Sequence, residues 1–237
     1  MAASRGASSL IIEELLGWLA DPAHWFSSDG LLLQCLLHLY YCVVSVLAAS
    51  IIGVPIGLCI GHTGRGGASA VVLTNSMRAL PTLGLVTLFV LLAGIGVLPT
   101  LAGLVILAVP AVLSGAYAGV QSVPPEARDA AKGMGMTPLQ QLWQVELPNA
   151  APLLFGGVRT AMLQVVATAS VAAYVGLGGL GAILLEGIKV YDYGQTLAAA
   201  LFIALLAVVL DALLAGMSKL LTPKGLRAKR RVPAGVA

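Results

Sequence analysis

Five long apolar runs, separated by short polar stretches, most constrain what this chain can fold into. A helix needs roughly 20 apolar residues to cross a bilayer, and each run reaches that length. Backbone groups in hydrocarbon must be satisfied within their own segment, so the runs predict helices despite their Val and Ile content. The runs are about Leu31–Ile60, Ala68–Gly94, Thr100–Val120, Ala151–Val175 and Thr196–Leu220.

Composition excludes a soluble domain. Only 10% of the 237 residues are charged and 59% are hydrophobic, whereas soluble domains carry about 25% charged residues. The predicted fold class is therefore an all-α polytopic membrane bundle. Its transmembrane domain spans residues 31–220, with a segment over 1–30 before it and a basic tail over 221–237 after it.

Basic residues lie unevenly about these runs. Of the 13 Lys and Arg residues, eleven fall on one side of the predicted membrane, and Arg5 and Lys189 fall on the other. The positive-inside rule makes the richer side cytoplasmic. With five crossings, the N-terminus then lies outside and the C-terminus in the cytoplasm. The eleven are Arg65, Arg78, Arg128, Lys132, Arg159, Lys219, Lys224, Arg227, Lys229, Arg230 and Arg231.

The basic tail over Lys224–Arg231 has two interpretations. It could bind nucleic acid, or it could anchor to anionic lipid headgroups. We favour lipid, because the tail follows the final predicted span.

The N-terminal segment lacks the basic start and apolar core of a cleavable signal peptide. Apolar residues at helical spacing predict instead a short amphipathic helix that ends near Asp21 and Pro22. Two placements remain open. The helix lies in the outer membrane interface, with Trp18 and Trp25 at headgroup depth, or it packs as a cap over the first span.

The first predicted span carries Cys35, His38 and Cys42 on one helix face. Two thiols and one imidazole without a fourth ligand favour packing, and we predict no metal site.

Small residues recur at helical spacing in the first and third spans. Gly53, Gly57 and Gly61 share one face, as do Gly115 and Gly119, which predicts close helix contacts. The prolines at 55, 81 and 110 are expected to kink their helices or open backbone groups.

Charges within apolar runs are costly and often functional. The candidates are Arg78, Arg159 and Asp211. For Asp211 we favour a structural partner on a neighbouring helix over a proton relay. Arg78, just before Pro81, either lines a pathway or reaches the cytoplasmic interface.

Two glycine-rich matches are rejected as nucleotide sites. The pattern G-x-G-x-x-G over residues 176–181 follows a membrane span rather than a strand. The run over residues 61–66 has P-loop spacing, but Gly67 and Ala68 stand where Lys and Ser or Thr are needed. The sequence therefore predicts no ATPase site and no catalytic residue in this chain.

The polar segment Gln121–Pro148 stands between two apolar runs. Pro124 and Pro125 suit a helix start, and Gly133 and Gly135 suit its end. Thr137, Pro138 and Gln140 then read as an N-cap, a first-turn proline and a capping box. We predict a second helix that runs to about Glu146 and stops before Pro148.

The face of the first of these helices is nearly flat, because it consists of small residues and a methionine at helical spacing. A flat, doubly capped element favours docking against a partner rather than an ordinary surface loop. The residues of this face are Ala127, Ala130, Ala131 and Met134.

At these residues the chain resembles a known family. Asp129-Ala130-Ala131, three residues, Gly135, nine residues and Val145-x-Leu147-Pro148 resemble the EAA loop of ABC-importer permeases. Asp129 replaces the usual Glu and Val145 the usual Ile. Five spans with an outside N-terminus are also what the type I, MetI-like members have. The resemblance covers about Leu36–Leu220.

The resemblance implies that the loop forms a coupling helix in the groove of a cytoplasmic ABC ATPase. The expected partners are that ATPase, a second permease subunit that is identical or homologous, an extracytoplasmic binding protein and the lipid bilayer. No nucleic acid is expected. The chain itself would hold no cofactor, since ATP and Mg²⁺ lie on the ATPase. The expected coupling residues are Glu126, Asp129, Ala130, Ala131, Gly133, Gly135, Met136, Leu147 and Pro148.

Further stretches resemble the osmoprotectant branch of that family. They are GHTGRG at 61–66, SMRALPTLG at 76–84, DAAKGMGMT at 129–137, VELPNA at 145–150 and VAAYVGLGGLG at 171–181. This implies a multi-pass protein of the bacterial inner membrane that imports glycine betaine, choline, carnitine or proline betaine. Another amine such as ergothioneine is the alternative cargo.

Two other function classes make different demands on the sequence. A stand-alone secondary carrier would show several buried carboxylates or an internal repeat. A membrane scaffold would use the loop only to recruit a partner. We expect the importer permease instead.

Overall fold

The computed structural model describes residues 2–221, with side chains described for 11–220. Over these residues it contains helices and no strand. The helices are α1 Ala2–Ala20, α2 Ala23–Phe26, α3 Leu31–Thr63, α4 Gly67–Arg78, α5 Thr82–Ala93, α6 Val97–Gln121, α7 Pro125–Gly133, α8 Pro138–Gln141, α9 Leu147–Ala172, α10 Leu180–Val190 and α11 Tyr193–Leu221, with a π-helical turn at Leu142–Glu146 and a 3₁₀ turn at Ala173–Val175. The basic tail, Lys224–Arg231, lies outside the described residues.

Four of the predicted spans lie in long helical stretches, and one is broken. The helices Ala23–Thr63, Val97–Gln121, Pro138–Val175 and Tyr193–Leu220 are long and apolar enough to cross a membrane. The predicted run Ala68–Gly94 is instead a bent pair, α4 and α5, of 12 residues each. Pro81 takes an extended ψ of 116° and starts α5. A fifth crossing therefore requires the bent pair to act as one span.

The chain divides into two compact units. The first consists of Met1–Leu47, Leu80–Leu107 and Met162–Leu210, and the second of Ala48–Ala79, Ala108–Ala161 and Asp211–Ala237.

In the first unit, α1 packs against the core. Trp18 is buried together with residues of α3, α10 and α11, among them Leu31, Leu180 and Ala198. The indole of Trp25 donates to the Leu19 carbonyl at 2.8 Å. These contacts agree with the capping placement of the N-terminal helix.

The first unit also contains the glycine-rich loop between α9 and α10. Gly178 and Gly179 have positive φ angles of 75° and 76°, which glycine adopts without a Cβ penalty. The Gly179 amide donates to Oε1 of Gln34 at 2.6 Å, and Nε2 of the buried His38 donates to the Val166 carbonyl at 3.1 Å. The loop is thus tied to α3.

In the second unit, glycines bring helices into backbone contact. A Cβ on Gly57 would lie 2.6 Å from the Leu113 carbonyl oxygen of α6. A Cβ on Gly115 would lie 2.6 Å from the Cα of Gly157 in α9, and a Cβ on Gly119 would lie 2.7 Å from the Ala150 carbonyl oxygen. The close contacts predicted from glycine spacing are confirmed.

Candidate functional site

The polar segment between α6 and α9 begins with α7, which ends in a Schellman motif. Gly135 has a φ of 76°. Its amide donates to the Lys132 carbonyl at 2.9 Å, and the Met136 amide donates to the Ala131 carbonyl at 3.1 Å. These two bonds satisfy carbonyls that the helix end would leave open. The EAA-loop pattern has a glycine at position 135, and the left-handed backbone conformation there explains why.

The start of α8 is a capping box, as predicted. The backbone N–H of Gln140 donates to Oγ1 of Thr137 at 3.3 Å, and the backbone N–H of Thr137 donates to the side-chain Oε1 of Gln140 at 2.9 Å. Pro138 occupies the first turn. The segment therefore enters α8 at a fixed angle.

The predicted stop before Pro148 is wrong. After four residues α8 passes into the π-helical turn Leu142–Glu146, and α9 follows at Leu147 without a break. The Leu147 amide bonds to the Leu142 carbonyl, five residues back. Pro148 has no N–H to donate, so the continuous helix lacks one backbone hydrogen bond at this position. The polar segment thus runs directly into a membrane helix.

The flat face predicted on α7 is divided in the structure. Ala131 is buried and Ala127 is half-buried, so both face the protein itself. Ala130 and Met134 are exposed, so the predicted four-residue docking surface is wrong for its two inward members.

A different outward surface results. It combines polar and small residues with three large apolar side chains that the sequence reasoning did not single out as a group. Met134 is 70% exposed, Leu139 65% and Trp143 57%. The outward surface consists of Glu126, Asp129, Ala130, Gly133, Met134, Leu139 and Trp143.

Asp129 of this surface forms an ion pair with the neighbouring Lys132. Nζ of Lys132 lies 3.9 Å from Oδ1 of Asp129, and both side chains are more than half exposed. A pair so open to solvent contributes little to stability. Asp129 therefore remains free to contact another protein.

Beneath this surface lies a buried carboxylate that the sequence reasoning missed as a site. The Glu146 side chain is 1% exposed. Nδ1 of His62 donates to its Oε2 at 2.6 Å, and Nε2 of Gln141 donates to its Oε1 at 3.2 Å. Nε of Arg128 lies 3.1 Å from Oε1, and a second guanidinium nitrogen donates to the Val120 carbonyl at 2.5 Å. We call Glu146, His62, Arg128 and Gln141 the Glu146 cluster.

One sequence signal could have pointed to this cluster. Glu146 is an acidic residue at the entry to an apolar run, where an unpaired charge is costly. Basic residues stand in two other elements, as His62 in the last turn of α3 and Arg128 within α7. Because His62 and Arg128 lie far from Glu146 in the sequence, the sequence alone does not show that they pair with it.

Arg159 in α9 and Asp211 in α11, two charged residues within the predicted spans, form a bidentate ion pair. Arg159 is the middle residue of the 26-residue α9, although the sequence reasoning counted it on the cytoplasmic side. The pairing agrees with a structural partner for Asp211. Arg78 is the last residue of α4, and Pro81 precedes the first residue of α5.

The first unit contains a cavity of about 290 Å³ lined by α9, α10 and α11. Its lining is aliphatic apart from Ser170, whose hydroxyl donates to the Val166 carbonyl. This cavity offers no charge to a polar solute.

Comparison with known proteins places these features in a family. Residues 51–225 match the family described as the binding-protein-dependent transport system inner membrane component. The chain is 41% identical over 215 residues to the osmoprotectant import permease protein OsmW of Salmonella typhimurium, covering 87% of this chain and 100% of that protein. It is 30% identical over 195 residues to the glycine betaine/carnitine/choline transport system permease protein OpuCB of Bacillus subtilis, covering 82% and 90%.

Solved structures show the same fold. A chain of the inward-facing MetNI methionine ABC transporter matches with a TM-score of 0.75 at 22% identity, covering 86% of this chain and 100% of that one. A chain of an amino acid ABC transporter with histidines matches with a TM-score of 0.59 at 18% identity, covering 77% and 93%. The predicted MetI-like helical bundle is confirmed. The chain therefore belongs to the family of binding-protein-dependent transport system inner membrane components.

Proposed function

We propose that this chain is a permease subunit of an ABC importer and that the segment from α7 to the π-helical turn couples it to a separate ATPase. The observation that carries the proposal is the outward surface. It exposes the large apolar side chains of Met134, Leu139 and Trp143 on the same segment as the small, exposed Ala130. Large apolar side chains on a polar segment are typical of a protein contact.

Coupling would proceed through the chain itself. ATP binding to the ATPase subunits would close their groove on α7. Since α8, the π-helical turn and α9 are continuous, a displacement of the segment would move α9 directly. The bundle would then alternate between outward and inward openings, and ATP hydrolysis would take place wholly on the partner.

The proposed cargo is a quaternary amine used as an osmoprotectant, such as glycine betaine, choline or carnitine. The support is the 41% identity to OsmW over the whole of that protein. An aromatic cage suits such a cation, but only 5% of this chain is aromatic. Selectivity would therefore reside mainly in an extracytoplasmic binding protein, and ergothioneine remains the alternative cargo.

We further propose that two permease subunits pair in the bacterial inner membrane, each with its N-terminus outside and its C-terminus in the cytoplasm. The support is the charge asymmetry and the family membership. A fluorescent reporter that matures only in the cytoplasm, fused at the C-terminus, should fluoresce. A dark fusion would contradict this orientation.

Uptake by the reconstituted complex tests the function. Proteoliposomes that contain the permease with its ATPase and binding protein should accumulate labelled glycine betaine only with internal ATP and Mg²⁺. An Ala130→Glu variant should insert normally, because Ala130 is exposed, and should lose uptake, because the new charge and bulk stand in the proposed contact. Accumulation without any ATPase would contradict the proposal and favour a stand-alone carrier. Unchanged uptake by Ala130→Glu would favour a scaffold loop.

A further inference from the structure

The Glu146 cluster joins three segments that are far apart in the sequence. His62 stands in the last turn of α3, Arg128 in α7, and Gln141 at the end of α8. All three side chains converge on one carboxylate that is 1% exposed. A buried carboxylate of this kind stabilises a single arrangement of its donors, because leaving any of them unpaired is costly.

Two further bonds extend the cluster to α6. Arg128 donates to the carbonyl of Val120, and Nε2 of Gln121 donates to the Gly61 carbonyl at 3.2 Å. The ends of α3 and α6 are thereby fastened to α7 through polar contacts. Leu58, Val120 and Ala150 add apolar packing from α3, α6 and α9.

The π-helical turn makes the geometry possible. In an α-helix, side chains three or four residues apart face each other. A turn closed by bonds between residues five apart stacks Gln141 below Glu146 instead, and the amide reaches the carboxylate at 3.2 Å. π-Helical turns inside α-helices are often found at functional sites.

Resting on the function proposed above, we propose that Glu146 is a positioning residue for coupling. Its carboxylate holds α7, α8 and the ends of α3 and α6 as one body. When the ATPase displaces α7, the body moves as a unit, and the movement reaches three membrane helices rather than α9 alone. Without the carboxylate, a displacement of α7 still reaches α9 through the continuous chain but leaves the ends of α3 and α6 behind.

Glu146→Gln is the sharpest test. The variant keeps the size of the side chain but removes its charge and places a donating NH₂ group where two hydrogen-bond donors and the Arg128 guanidinium now meet a carboxylate. The measured quantity is the number of ATP molecules hydrolysed per glycine betaine transported by the reconstituted complex. We expect this ratio to rise by at least about tenfold, the factor that a lost charge-assisted hydrogen bond accounts for.

The ratio separates positioning from mere destabilisation. A variant that only lowers the fraction of folded complex reduces hydrolysis and uptake together and leaves the ratio unchanged. The matched control is Glu13→Gln, the same change at an exposed position of α1, which should keep the wild-type ratio. A Glu146→Gln ratio within about twofold of wild type would overturn the proposal, because a twofold change is far smaller than the effect expected from the loss of one charge-assisted hydrogen bond.

His62 provides a second route if Glu146→Gln does not assemble. The side chain is 19% exposed, so its replacement disturbs the fold less. His62→Gln keeps a donor and should keep the ratio near wild type, whereas His62→Leu removes it and should raise the ratio. Equal ratios for the two variants would contradict the role of the cluster. Failure of the wild-type complex to take up any solute with ATP would instead refute the proposed function.

Discussion

At the scale of single residues, the turn after α7 depends on the left-handed backbone of Gly135. A side chain with a Cβ costs about 1–2 kcal/mol in this conformation, and a β-branched residue fits it worst. Gly135→Val should therefore distort the Schellman motif and uncouple hydrolysis from uptake. Gly135→Asn is the matched control, because Asn tolerates the left-handed region. Uptake assays on both variants check the prediction, and equal loss in both would contradict it.

The ion pair of Arg159 and Asp211 gives a second residue-scale prediction. Each charge neutralises the other within the membrane-spanning region, where a lone charge is costly. Asp211→Asn should lower the thermal midpoint of the purified complex by several degrees. The exchange of both residues, Arg159→Asp with Asp211→Arg, should recover part of the loss. A single variant as stable as wild type would mean that Arg159 is compensated elsewhere.

Single residues also show how far sequence reasoning reaches. The capping box at Thr137 and the helix end at Gly135 were predicted, because local hydrogen bonds decide both. The Glu146 cluster was not, since its partners lie up to 84 positions away. The inward position of Ala131 was missed for a related reason. Spacing along the sequence shows which residues share a helix face, but it does not show which of them are buried by the rest of the protein.

At the scale of elements, the predicted runs matched four long helical stretches because apolar length alone decides membrane helices. The break between α4 and α5 was harder to place. Proline was expected to kink the helix, but α4 ends at Arg78 and Pro81 is the N-cap of α5. At Pro55 and Pro110 the helices continue through the proline. Neighbouring helices supply the packing that decides between these outcomes, and the sequence does not show it.

The contact between α6 and α9 gives an element-scale prediction. A Cβ on Gly157 would lie 2.7 Å from the Ala111 carbonyl oxygen and 2.8 Å from the Cα of Gly115. Gly157→Ala should therefore force the helices apart and destabilise the complex by about 1–3 kcal/mol, the usual cost of overpacking. Gly156→Ala is the matched control, since a Cβ there meets nothing within 4 Å. Thermal unfolding of both variants tests this prediction. Similar unfolding midpoints for Gly157→Ala and Gly156→Ala would contradict the close contact between α6 and α9.

At the scale of the whole molecule, the fold class and the family followed from the sequence because both depend on patterns along the chain. The length of the apolar runs predicts the helical bundle, and the spacing of Asp129, Gly135 and Pro148 indicates the family. The orientation in the membrane and the cargo do not follow from helix packing. They depend on lipid, partner and substrate.

Site-specific crosslinking shows whether the outward face of α7 docks on an ATPase, as we propose. In a complex whose native cysteines are replaced, a cysteine at position 130 should crosslink to the ATPase subunit. A cysteine at position 131, next along the chain but buried at 1% exposure, should not. We expect the crosslink from position 130 to change in yield when ATP binds. No crosslink from position 130 to the ATPase in any nucleotide state, in a complex that transports, would contradict the account.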